Sequence, residues 1–322
     1  MTGPDLQATL KAEILAARLE GALRADPDLA TIWRAEAAVQ EACASAWLED
    51  LPLRPEDLLC RAFRDELGDP DRDRAATAAT AILRGLHSPG DLLNDTQAVM
   101  ERIWALGGHH GPSPFTPAHH DALRQDLRTA QGPILAGLAV AHRVSLITAG
   151  SAPACARLAF VAADHALRGA GGVMIGDTDP HYLIRAPRGA WVLQPSLALV
   201  DSGFRLWSVD RPDTVAALLD GLTHTLARAM GSLPMHRRWL SRARHARDTA
   251  HGSSRMPDLV RLLMVQPIID TADLAKAATI TPRSALRLID TATDTALIRK
   301  ITYRNTYRAW ATEPCAKLLG LA

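Results

Sequence analysis

Residues 270–294 read DTADLAKAATITPRSALRLIDTATD, a run that few folds accept. Asp270 can cap a short helix whose inward face is Leu274, Ala275 and Ala278, and Thr279, Ile280 and Thr281 make a turn. Thr281 caps a second helix with Pro282 at its first position, where a missing N–H costs nothing. That helix turns Ala285, Leu288 and Ile289 inward. Ala275 and Ala285 are small where two helices crossing at about 90–120° bring their backbones together, and Ile280 fills the space between them. The pattern predicts a helix-turn-helix. One departure stands out: Thr279 occupies the turn position commonly taken by Gly. A Thr at positive φ is unfavourable, so either the turn is of another type or the motif is a lesser one.

The flanks complete the unit. PDLVRLLMV at 257–265 supplies a third helix, ended by Gln266–Pro267. Leu297–Tyr303 and Thr306–Trp310 alternate in polarity around Arg304–Asn305, which predicts a hairpin placed as the wing of a winged helix-turn-helix. The outward face of the second helix carries Arg283, Ser284 and Arg287, residue types that read base edges in a major groove. Thr281, Arg299, Lys300, Arg304 and Arg308 are expected to meet phosphates. The expected partner is double-stranded DNA.

Charge is distributed to match. From His236 to Trp310 there are 14 Lys or Arg against 6 acids, a net +8, whereas the remainder holds 22 basic and 29 acidic residues, a net −7. A basic carboxyl-terminal part on an acidic body is the pattern expected when one part meets a polyanion. Arginine makes up 32 of the 36 basic residues, a bias that runs through the whole chain and therefore says nothing specific about phosphate contact.

The rest of the chain reads as helix. Aromatic residues are only 4% of the composition, and Ala and Leu dominate, so the expected class is mostly α with a small β-hairpin. Helical periodicity runs from about Asp5 to Arg24, Leu29 to Asp50, Glu56 to Leu67, Asp71 to Leu86, Asp91 to Leu106, Ala118 to Arg128, Pro133 to Ala149, Pro153 to Leu167 and Asp213 to Met230. Residues 169–191 change to short extended pieces, and 235–247 form a basic helix before the Gly252–Ser253–Ser254 joint. The expected division is an N-terminal helical domain at 1–130 and a central helical domain with a short β insertion at 131–234. A basic linker helix at 235–254 follows, favoured as a spacer over a second DNA contact, and then the DNA-binding domain at 255–322. No apolar run approaches the roughly 18 residues of a spanning helix, and the amino terminus lacks a secretory pattern. Cys43, Cys60, Cys155 and Cys315 are widely spaced, which fits a reduced, cytoplasmic and nucleoid-associated setting.

Two stretches carry a resemblance. SSRMPDLVRLLMVQPIIDTADLAKAATITPRSALRLID, followed by ITYRNTYRAWA, resembles the C-terminal helix-turn-helix of an alphaproteobacterial family that joins a helical domain of unknown function to this module. The same arrangement resembles the tail of Fic-domain proteins, and AEAAVQEACASAWLEDLPLRPEDLL, with Trp47, Leu48 and Glu49, resembles their helix entry. An active Fic domain would imply a His-Pro-Phe entry and a Gly-Asn-Gly-Arg anion loop. The corresponding stretch, 141–160, has His142, Gly150 and Arg157 but neither motif. The resemblance therefore implies a degenerate, non-catalytic body.

Other candidates are weaker. His109, His110, His119 and His120 surround a Gly/Pro loop, with Asp121 near, but adjacent residues rarely ligate one ion comfortably. Gly169, Gly171, Gly172 and Gly176 do not sit between a strand and a helix as a phosphate loop requires. No catalytic residue, metal or cofactor is assigned. The expected function is transcriptional regulation through DNA binding, with the body mediating a homodimer or protein contact. The alternatives are a Fic-like nucleotide-dependent enzyme and a scaffold protein.

Overall fold

The computed structural model describes residues 3–61, 68–88, 90, 92–107, 111–130, 132–148, 155–166, 192–203, 211–301 and 308–318. The extended pieces expected at 169–191, together with His109, His110, Gly150, Arg304 and Asn305, lie outside them. Among the described residues the body consists of α1 (Gly3–Arg24), α2 (Pro27–Trp47), α3 (Pro55–Arg61), α4 (Pro70–His87), α5 (Thr96–Leu106), α6 (Pro117–Thr129), α7 (Pro133–Thr148), α8 (Cys155–Ala166), α9 (Pro195–Asp201) and α10 (Pro212–Asp248). Seven of these ten open on Pro, whose fixed φ and absent N–H suit a first helical position. Asp26 and Asp69 cap α2 and α4, accepting from Leu29 N at 3.2 Å and Asp71 N at 2.9 Å.

Three features of the body differ from the sequence expectation. α5 starts at Thr96 rather than Asp91, because residues 92–95 form a turn ahead of it. α9 was not expected. The helix expected to end at Met230 instead runs unbroken through Pro234 to Asp248, so the basic 235–247 stretch is the second half of α10. At 37 residues that helix is roughly 55 Å long.

Carboxylates from distant elements cap helices in the body. Glu13 on α1 accepts from Leu135 N at 3.0 Å, in the first turn of α7. A Cβ at Gly132 would lie 2.5 Å from the Glu13 carboxyl, so a larger residue there would push this capping side chain aside. Glu41 on α2 accepts from Ser196 N at 3.0 Å and Leu197 N at 3.1 Å, at the start of α9. Asp164 on α8 accepts from Leu193 N at 3.1 Å and also meets Arg34. Burial pushes Glu41 up to about 8, while the two backbone N–H groups pull it the other way. His165 ties α8 to the end of α4, with Nε2 3.0 Å from Gly85 O and 3.1 Å from Ser88 Oγ.

The carboxyl-terminal elements follow α10: α11 (Met256–Val265), β1 (Ile268–Asp270), α12 (Thr271–Ala277), α13 (Pro282–Asp294), β2 (Ile298–Lys300), β3 (Ala309–Thr312) and α14 (Glu313–Leu318). The three strands form one antiparallel sheet in the order β1-β3-β2, with Ile269 opposite Trp310 and Ile298 opposite Thr312. β1 is an addition to the elements expected from sequence. The sheet binds the start of this unit to its end.

A continuous apolar core runs from Ala12 on α1 to Trp310 on β3, and α11 packs on both α10 and α2. α10 supplies the polar links across this seam. The fully buried Trp239 donates from Nε1 to Leu297 O at 2.7 Å, and Arg242 pairs with Glu313. Toward the body, Arg244 reaches Asp26 and Asp28, each at 2.7 Å. This half of α10 therefore spends Arg242 and Arg244 on packing the molecule together, while Arg237 and Arg238 stay exposed.

Candidate nucleic-acid interface

α12 and α13 form the expected helix-turn-helix. Asp270 opens α12 through a reciprocal cap: its Oδ1 accepts from Asp273 N at 2.7 Å, and Asp273 accepts from Asp270 N. Thr281 Oγ1 accepts from Ser284 N at 3.2 Å and opens α13. Leu274, Ala278, Ala285, Ile289 and Ala292 are buried between the helices and the rest of the unit, with Ala275, Ile280 and Leu288 partly buried against them. The inward residues predicted from the sequence are thus in the interface.

The turn resolves the question posed by Thr279. Its φ is 54°, in the left-handed region. Thr279 N donates to Lys276 O at 3.3 Å and Ile280 N to Ala275 O at 2.9 Å, the paired bonds of a Schellman helix end. The turn is therefore the one that glycine would favour, held by a β-branched residue. Ala296 (φ 55°) repeats the arrangement after α13, with Leu297 N donating to Ala292 O at 2.9 Å.

Thr281, Arg283, Ser284, Arg287, Asp290 and Thr291 are all exposed on one side of α13. Arg283 and Arg287 make no ion pair among the described residues, in contrast to Arg242, Arg244, Arg255 and Arg261, which do. A shallow depression beside the start of α13 is lined by Ala275, Lys276, Thr279, Ile280, Thr281 and Ser284. Lys276, exposed on α12, was missed as a candidate. It is part of the basic count, and its place at the end of α12, three residues before the turn, was the available signal.

The hairpin gives a more selective picture. Arg299, Lys300 and Arg308 are exposed, and Arg304 lies outside the described residues. In the sheet register Arg299 stands opposite Ala311 and Lys300 opposite Trp310, so the two cations leave opposite faces. Lys300 shares its face with Ile298 and Trp310, which join the core beneath the helices. Arg299 shares its face with Ala311, on the side covered by Cys315 and Ala316.

Residues 256–312 match a family model described as an HTH DNA binding domain. The match opens on the first residue of α11 and closes on the last of β3. This segment is a helix-turn-helix DNA-binding domain. A comparison with curated proteins finds no match to the chain.

Elsewhere, the remaining sequence candidates have local roles. His119 Nδ1 accepts from Thr116 N at 3.2 Å, and Thr116 Oγ1 accepts from His119 N, a reciprocal cap on α6. His120 is buried, and burial lowers its pKa. His142 is half-buried on α7. No group of three metal-ligating side chains occurs among the described residues, and no described helix is long and apolar enough to cross a membrane.

Proposed function

We propose that the chain is a regulator of transcription that binds double-stranded DNA with α13 in the major groove. The observation that carries this reading is the outer face of α13: Arg283, Ser284 and Arg287 are exposed together, and neither arginine makes an ion pair among the described residues, on a helix whose other side packs through Ala285, Ile289 and Ala292. Arginine presents a donor fork that matches the guanine edge, and Ser accepts or donates to any base. Thr281 and Lys276 line the depression beside the start of α13 and serve as phosphate contacts, joined by Lys300, Arg308 and Arg304 of the hairpin acting as a wing. Arg299, on the opposite sheet face, contributes least of the candidates. The body serves as the partner-binding part, through a homodimer or another protein; Leu6, Leu10 and Ile14 form an exposed apolar stripe on α1 suited to that role.

The test is a titration of the whole chain against fragments selected from genomic DNA. Arg287→Ala should lose about 1–3 kcal/mol on the preferred fragment and much less on random DNA. Lys300→Ala should weaken both alike and reduce the salt slope by about one. A chain that ignores all DNA at low ionic strength overturns the reading.

A further inference from the structure

The seam between α2, α10 and α14 encloses a histidine whose two nitrogens both face acceptors. His236 is fully buried, with Nδ1 3.0 Å from Ser232 O and Nε2 2.9 Å from Glu36 Oε2. A carbonyl and a carboxylate each need a donor, so the geometry is satisfied when the ring carries both protons. Losing either proton turns a lone pair toward an acceptor and leaves the Glu36 charge without its counter-charge beside a fully buried ring, which is costly.

The position of this pair gives it reach. Trp239, one turn further along α10, donates to Leu297 O, and Leu297 both closes the end of α13 and leads into β2. Arg242, the next turn again, holds Glu313 at the start of α14. Among the described residues Glu36 supplies the charge that acts on the ring, and the Ser232 carbonyl on α10 adds a hydrogen bond. Cys315 on α14 feels the same carboxylate, its thiol held protonated by burial and then by Glu36.

We propose that His236 and Glu36 form a pH-sensitive latch through which the body holds the DNA-binding domain in its reading position. The latch is closed while the ring is an imidazolium and loosens when the ring is neutral. Burial alone would depress the histidine, but the hydrogen bond and charge of Glu36 outweigh it and raise its pKa above 6.5. A raised histidine contributes its full stabilisation below its unfolded value and loses it as pH climbs through the folded one. Binding should accordingly weaken from neutral to alkaline pH.

This inference rests on the DNA-binding reading, and the experiment separates the two. Ring nitrogen shifts of His236 and the affinity for a preferred DNA fragment are followed in the full chain from about pH 6 to about pH 9. The expected result is a doubly protonated ring at the acid end and an affinity loss of about fivefold or more across the range. His236→Gln and Glu36→Gln should each remove that component, leaving the shallower slope due to the other histidines. Equal slopes in all three proteins, or a neutral ring at pH 6, overturn the latch. Should His236→Gln not fold, Glu36→Gln decides. Should no protein bind DNA, the DNA reading fails instead, and amide exchange of residues 297–301 and 308–312 decides the latch. Protection that falls with pH only in the unsubstituted chain supports it, and pH-independent protection overturns it.

Discussion

Thr279 is strained by the fold around it. A β-branched side chain at φ 54° crowds the adjacent backbone, and only the two Schellman bonds and the packing of Ile280 keep it there. Asn tolerates this region better than Thr and, unlike Gly, does not add much freedom to the unfolded chain. Thr279→Asn should therefore stabilise the protein by about 0.5–1 kcal/mol, read as a higher urea midpoint with an unchanged slope. A lower midpoint would mean that the threonine hydroxyl or methyl makes a contact worth more than the strain. The sequence marked this position correctly as the departure from the pattern but left its conformation open. Residue order locates a turn; the backbone angle follows from how closely the two helices must approach, a tertiary fact.

At the level of elements, helix starts were legible where the cap is local and hidden where it is remote. Pro27, Pro70, Pro117 and Pro282 each follow their own capping Asp or Thr, so the sequence placed those starts within about two residues. α9 escaped because it has seven residues and its cap, Glu41, lies 155 positions away. Nothing in the string PSLALVD distinguishes it from a loop until that carboxylate is in place. Removing the cap strands the buried N–H of Ser196 and the half-buried one of Leu197. Glu41→Ala should cost about 2–4 kcal/mol, measured by urea unfolding, since each unsatisfied buried donor forfeits about 1–3 kcal/mol. Part of this loss is offset because the carboxyl, raised to about 8 by burial, carries a proton near neutral pH and caps less strongly than a carboxylate would. The sign is testable too: a carboxyl raised in the folded state favours folding below its unfolded pKa, so its contribution wanes as pH rises from about 4.5 toward 8. Glu41→Ala should then cost more at pH 5 than at pH 8, and equal penalties at the two would contradict the raised value.

For the whole molecule, the charge asymmetry that pointed to a separate basic domain overstates its independence. Arg242 and Arg244 belong to that basic count, yet they bind Glu313 and two aspartates, Asp26 and Asp28, at the start of α2. The Gly252–Ser253–Ser254 joint is present as a turn, with Ser254 N donating to His251 O at 2.7 Å, but the parts it joins share one core. The sheet is covered on both faces: Ile269, Ile298 and Trp310 enter the main core, and Ile268, Ala309 and Ala311 pack with Cys315, Ala316 and Leu59 of α3. A fragment starting at Met256 loses Trp239, the α2 surface under α11 and Leu59 together. Burying a large apolar side chain is worth about 1.5–3 kcal/mol, so several such losses consume much of the stability of a domain this small. Amide protection at Leu263, Ile269 and Trp310 should consequently drop by orders of magnitude in the fragment relative to the full chain. A fragment extended back to Pro212 regains Trp239 and the rest of α10, and should recover part of the protection near Leu297 and in α11, the remainder of which depends on α2. Equal protection in the short fragment and the full chain would show that the shared core adds nothing, and that the body merely lies beside the helix-turn-helix domain.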